Sequence, residues 1–145
     1  MNLSKNFTLE EMTATSSHLP NVPSEEEIAN LTELVQHVLQ PLRDKFNKPI
    51  HVNSGYRSQA VNKDVGGALN PISQHCKGEA ADLNTDDNAT LFHLIRFFFD
   101  YDQLIWEGGN EKQPLWVHVS YKTIGNRKQA LKMVIMDRKK MYIEP

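Results

Sequence analysis

One cysteine, Cys76, in 145 residues excludes an intramolecular disulfide and any zinc module built on several thiolates. Neither sign of charge dominates: 16 Lys+Arg stand against 18 Asp+Glu, a formal charge of −2. Without a basic block there is no electrostatic footprint for nucleic acid or an anionic membrane, so neither is expected as a partner. Long apolar runs are missing too, and a cluster such as Phe97-Phe98-Phe99 is far short of a membrane span. The first twenty residues, MNLSKNFTLEEMTATSSHLP, lack the continuous apolar stretch and small-residue cleavage pattern of a signal peptide, so the chain is expected in the cytoplasm at synthesis. There is no His-Glu-x-x-His run and no Gly-x-Ser-x-Gly elbow, which argues against the common zinc proteases and serine hydrolases.

What is present fits one domain over residues 1–145, with 1–23 an irregular leading segment around a short element at Phe7 to Met12. A chain of this size buries roughly 68–70% of its unfolded surface, so a metal here serves function rather than folding. With thiolates excluded, histidine and carboxylate must hold it, and the chain has six histidines.

Ser24 and Glu27 form a capping box, after which Ile28, Leu31, Val35, Val38 and Leu42 step by three and four. The pattern predicts a helix to about Phe46, kinked near Pro41. A short strand is expected at Pro49–Asn53 and a helix at Ser58–Val65, ended by Gly66-Gly67. Ala68–Gly78 reads as loop and Glu79–Leu83 as strand. Asn88–Phe99 is expected helical, with Leu91, Leu94, Ile95 and Phe98 on one face. Gln103–Glu107, Leu115–Tyr121 and Lys132–Met136 read as strands, and the basic tail Arg138-Lys139-Lys140 as a solvated end. Helices followed by strands predict an α+β domain, an antiparallel sheet flanked by helices.

Three stretches carry chemistry. In Ser73-Gln74-His75-Cys76-Lys77-Gly78-Glu79-Ala80-Ala81-Asp82, a loop histidine precedes a strand aspartate by seven residues; both are good zinc ligands, although the spacing alone more often means a capped loop and a surface acid. Cys76 adjoins His75, but consecutive side chains tend to diverge. In Leu115-Trp116-Val117-His118-Val119-Ser120, alternation puts Trp116, His118 and Ser120 on one face and Leu115, Val117 and Val119 on the core face. If the two strands are neighbours, Asp82 and His118 converge, with His75 reaching in from the loop. Finally, Asn53-Ser54-Gly55-Tyr56-Arg57-Ser58 is a turn that delivers Arg57, whose rigid fork suits a carboxylate or carbonyl oxygen. His37 and His93 lie in helices without a partner ligand at i+4, His18 lies in the irregular segment, and His51 is at most a group behind the site.

In this order, Ser54-Gly55-Tyr56-Arg57-Ser58, Val65-Gly66-Gly67-Ala68, Ser73-x-His75-x-x-Gly78-x-Ala80-x-Asp82 and Trp116-Val117-His118-Val119-Ser120 resemble the zinc D-Ala-D-Ala carboxypeptidase and L-Ala-D-Glu endopeptidase family. These are bacterial and phage cell-wall peptidases related in fold to the hedgehog N-terminal domain. The resemblance implies that His75, Asp82 and His118 hold one zinc ion per chain with a position open for water. It implies that Arg57 stabilises the oxyanion or anchors the substrate carbonyl, and that Ser73 binds substrate, a role that competes with simple loop stabilisation. The implied activity is hydrolysis of peptidoglycan stem peptides by metal-activated water, in a monomer. Lacking a signal peptide, such an enzyme would reach the wall through a phage holin or similar route.

The chain departs from the better-known members at the catalytic base. Where they carry Glu three residues before the last ligand or His two before it, this chain has Leu115 and Trp116. Glu107 is the replacement candidate. If the strands 103–107 and 115–121 form a hairpin with Glu107 opposite Trp116, then Ile105 falls opposite His118 and Glu107 shares the His118 face. A one-residue slip turns it away. The missing base also leaves open an inactive zinc-binding module of the same fold, acting in recognition or structure.

Overall fold

Local signals open most of the elements in the computed structural model, which describes residues 1–145. Thr8 and Glu11 form a reciprocal capping box that starts α1 (Leu9–Met12), a single turn inside the leading segment. That segment is mostly irregular, yet Leu3, Phe7 and Met12 are buried in the core. Ser24 and Glu27 form the second box: the Ser24 hydroxyl accepts from Glu27 N–H at 3.2 Å and the Glu27 carboxylate accepts from Ser24 N–H at 2.8 Å. The long helical run then reads α2 (Glu25–Leu34), a π turn (Val35–Leu39) and α3 (Gln40–Phe46). The kink expected at Pro41 is taken up by the π turn, in which Gln40 N–H returns to Val35 O and shifts the ladder just ahead of the proline. Leu31, Leu34, Val35, Val38, Leu39 and Leu42 are fully buried along it.

Next come β1 (His51–Ser54), α4 (Gln59–Asp64), a 3-10 turn (Gln74–Lys77) within the expected loop, β2 (Ala80–Asn84) and α5 (Asn88–Phe98). The buried face of α5 is Leu91, Phe92 and Ile95, with Leu94 only partly covered. Phe98 lies outside, in contrast to the expected face, with the Lys45 ammonium 4.0 Å from its ring centroid. The chain ends with β3 (Gln103–Glu107), β4 (Trp116–Ser120), β5 (Gln129–Met136) and β6 (Lys139–Ile143).

The six strands make one sheet in the order β1-β2-β4-β3-β5-β6. All pairs are antiparallel except β3 with β5. The one parallel pair in this otherwise antiparallel sheet has a simple reason: residues 121–128 carry the chain past the start of β3, so β5 enters beside β3 and runs with it. The basic tail is also more than a solvated end. Asp137 and Arg138 both take positive φ (51° and 64°), the geometry of a tight hairpin turn, and Lys139 and Lys140 begin β6.

The sheet has two unlike faces. Ala81, Leu83, Leu104, Trp106, Val117 and Val119 point into the core shared with the helices. Leu115, expected on that face, precedes the strand and is exposed. The alternating residues on the other side, among them Asp82, Ile105, Glu107, Trp116 and His118, line a cavity.

Candidate metal centre

Strand pairing builds the centre from its middle outward. Asp82 on β2 stands opposite His118 on β4, and on its other side opposite Ser54 on β1. The His118 Nδ1 lies 3.0 Å from Asp82 Oδ1. His75 arrives from the 3-10 turn, with Nε2 at 3.4 Å from Asp82 Oδ2. One donor atom from each of the three lies within 4.8 Å of the others, a group able to hold a metal ion. Cys76, though adjacent to His75 and buried, is not part of it.

The turn that presents His75 is over-determined. Ser73 caps it, its hydroxyl accepting from His75 N–H at 3.2 Å. Gly78 ends it at φ +74°, where a Cβ would stand 2.4 Å from the Glu27 carbonyl oxygen, so glycine is needed both for conformation and for close approach to α2. His75 is 2% exposed and its Nδ1 lies 2.7 Å from the Gly55 carbonyl oxygen. A carbonyl only accepts, so Nδ1 carries the proton; Nε2, facing Asp82, donates to the carboxylate when the ring is protonated and offers a lone pair to a metal when it is neutral. Burial holds the imidazole below its ordinary pKa, against the pull of Asp82. For Asp82, burial pushes upward, but the two imidazoles outweigh it and hold the carboxyl far below the usual carboxylate range. Neutral imidazole and ionised carboxylate are the forms that ligate metal.

Arg57 is fixed at the edge of this group. Its N–H donates to the His75 carbonyl at 3.0 Å, tying the two motifs together. Nε donates to Ser54 Oγ at 3.1 Å, Nη1 to Asn62 Oδ1 at 3.2 Å, and Nη2 stands 3.7 Å from Asp82 Oδ2. Fully buried Asn62 completes the support by donating to the Ala68 carbonyl at 2.9 Å. A Cβ on Gly67 would lie 1.9 Å from Asn62 Oδ1 and 2.8 Å from Arg57 Nη1, which explains a glycine there. Gly67 thus makes room for the asparagine that steadies the arginine.

Glu107 has the register expected of it: it pairs with Trp116, and Ile105 with His118. It is therefore a diagonal neighbour of His118 on the same face. Burial raises its carboxyl pKa, with His118 opposing and Asp82 adding to the rise. Arg57, Ser73, His75, Asp82, Glu107 and His118 all line one cavity of about 540 Å3. The histidines set aside lie elsewhere: His37 pairs with Glu33 at 3.0 Å and stacks on Tyr121, His93 stacks on Phe97, and His51 is exposed. Sequence reasoning missed the Gly55 carbonyl, Asn62, and the cavity residues Arg127, Lys140 and Tyr142. A backbone oxygen has no sequence signal, Arg127 is brought in by the path of the connection before β5, and Lys140 and Tyr142 depended on recognising β6.

No helix is long and apolar enough to cross a membrane. A search among curated proteins finds no match. A family model described as Peptidase M15 matches residues 5–120, which takes in every residue of the centre; the chain belongs to the M15 peptidases, the zinc D-Ala-D-Ala carboxypeptidase family of cell-wall peptidases that its motifs resemble.

Proposed function

We propose that the chain is a zinc peptidase that hydrolyses peptidoglycan stem peptides, of the D-Ala-D-Ala carboxypeptidase or L-Ala-D-Glu endopeptidase type. The observation that carries this reading is the convergence of His75, Asp82 and His118 within 4.8 Å in a peptidase-family chain. Two imidazole nitrogens and one carboxylate oxygen suit zinc, and the Gly55 carbonyl behind His75 is the kind of outer partner that orients a zinc-binding imidazole. When bound, zinc with three protein ligands acts as a Lewis acid on the scissile carbonyl and acidifies water. Glu107, half-buried beside the donors and raised in pKa, takes the proton of the attacking water and returns it to the leaving amine. Arg57, braced by Ser54 and Asn62, meets the negative charge that develops on the carbonyl oxygen. Ser73 accepts from the His75 N–H, which fixes its oxygen at the cavity wall, and its hydroxyl proton remains to donate to a substrate carbonyl.

The rival, an inactive zinc-binding module, drew its support from Leu115 and Trp116 standing where relatives carry a base. Glu107 on the His118 face weakens that support. One zinc per chain, a monomer, and access to the wall through a holin or similar route belong to the same proposal. Incubation with purified peptidoglycan should release D-Ala or expose new amino termini, and His75→Ala and His118→Ala should lose both zinc and turnover. Protein purified without chelator that holds no zinc, or zinc-loaded protein that leaves every stem-peptide bond intact, would sink the reading.

A further inference from the structure

We infer that Arg127 is the anion-binding point of the cavity and takes the free α-carboxylate of the residue on the leaving side of the cleaved bond. The inference rests on the peptidase reading and supplies the substrate group that the reading leaves open. Arg127 lies in the connection after β4, beyond the residues matched by the family model, and it lines the same cavity as the three metal donors. Its Nε and Nη2 grip Asp102 at 3.0 and 2.9 Å. Asp102 is 0% exposed, and its oxygens are further occupied by the Arg127 N–H at 2.9 Å and Gln74 Nε2 at 3.0 Å. The connection is pinned on both sides of Arg127. Asn126 brackets Lys122 through its carboxamide, and Lys128 N–H reaches the Tyr101 carbonyl at 3.0 Å.

The consequence is a guanidinium fixed at its base and open at its edge. The acid that fixes it is out of reach behind it, whereas the arginine side chain is 53% exposed and its Nη1 has no partner in the protein. What the cavity meets is a preorganised cation, at little further entropic cost. Lys140 also lines the cavity, but it sits on β6 opposite Ile135, past the Glu107 row, with no acid bracing it.

Placement selects the substrate group. Asp102 adjoins Gln103, which lies one same-face step from Ile105, the residue opposite His118. Glu107 lies one such step in the other direction, so the base and the anion point bracket the donor row. A same-face step along a strand is about 6.6–6.8 Å. From a scissile carbonyl carbon to the carboxylate carbon of the next residue is three bonds, roughly 4 Å, and a charge-assisted hydrogen bond adds about 2.8 Å. Both spans are short, so a carboxylate on the residue next to the scissile bond, rather than one further along the peptide, is the anion that suits a cation this near the donor row. Both candidate linkages carry this group: the terminal residue of D-Ala-D-Ala and the α-carbon of a γ-linked D-Glu each present a free carboxylate one residue past the scissile carbonyl.

The test uses zinc-loaded protein and uncleavable ketomethylene analogues, in which CH2 replaces the scissile N–H. Analogues of acetyl-D-Ala-D-Ala and of acetyl-L-Ala-D-Glu γ-methylamide are each made as the free α-acid and as its carboxamide, and binding is measured by calorimetry. In at least one pair the acid should bind wild-type protein roughly ten- to a hundredfold tighter than the amide, the range of a hydrogen bond to a charged group. Arg127→Met should bring the acid down to the affinity of the amide. Because that variant strands Asp102, Asp102→Asn/Arg127→Met serves as a second background with no buried charge. Equal affinities in both wild-type pairs, or an acid preference that survives in the double variant, would overturn the inference. An Arg127-dependent preference in protein that cleaves neither parent peptide would instead leave the anion point standing and remove the peptidase reading.

Discussion

The two faces of the central strands do different jobs with the same backbone. On the helix side, Leu83, Leu104, Val117 and Val119 are fully buried and apolar. On the cavity side, one residue along in each strand, stand Asp82, Ile105, His118 and Glu107. The helix side holds the sheet by removing apolar surface from water, each such side chain contributing about 1.5–3 kcal/mol. The cavity side gathers charged and titratable groups whose desolvation costs stability, only partly offset by their mutual pairing. A sheet held firmly by one face tolerates a polar, desolvated constellation on the other. Period-2 alternation makes this division possible, because adjacent residues can be selected for unrelated tasks.

Substitutions should therefore separate cleanly by face. The largest effect is expected at Glu107→Gln, which keeps shape but removes the proton acceptor. Turnover should fall by roughly 10²–10⁴-fold while zinc content and unfolding midpoint stay near wild type. A kcat within threefold of wild type would transfer the role of base to another group. Leu104→Ala, on the strand carrying Glu107 but facing the helices, should do the reverse. It should cost about 2–5 kcal/mol of stability in denaturant titration, with the activity of the folded fraction retained. Equal losses of activity per folded molecule in both variants would mean that the faces are coupled rather than divided.

Much of this division is legible in Trp116-Val117-His118-Val119-Ser120, where the alternation alone assigns Val117 and Val119 to the core and His118 to the open face. Carried across the hairpin, the same period offers one register that puts Glu107 on the His118 face, and the observed pairing takes that register rather than the one-residue slip. What resists reading has physical causes. Phe98 continues the apolar spacing of α5, but the helix ends there and Lys45 covers the ring from outside. The turn Asp137-Arg138 adopts positive φ at both positions without the Asn-Gly or Gly that normally announces it, so β6 was hidden. The Gly55 carbonyl behind His75 is backbone. Asp102 and Arg127 are joined only by the path of the chain past the start of β3, and nothing in their local sequence forecasts the pairing.

That pair belongs to neither face, and it offers the smallest and most specific prediction. Burial alone would raise the Asp102 pKa, but the Arg127 fork, the Arg127 N–H and the Gln74 amide outweigh it and hold the carboxyl at about 2. An unfolded chain would titrate the same group near 3.9. A folded-state pKa below the unfolded one means stabilisation that is present above about pH 4 and is lost as pH falls through about 2, amounting to roughly 2–3 kcal/mol at most. Asp102→Asn removes the titration while keeping an acceptor for the Arg127 N–H. Denaturant unfolding from pH 6 down to pH 2 should show wild type losing up to about 2 kcal/mol more than the variant, with the two curves converging at the acid end. Parallel curves across that range would mean that the fork contributes no net stability; its remaining role would then be to aim Arg127 at the cavity.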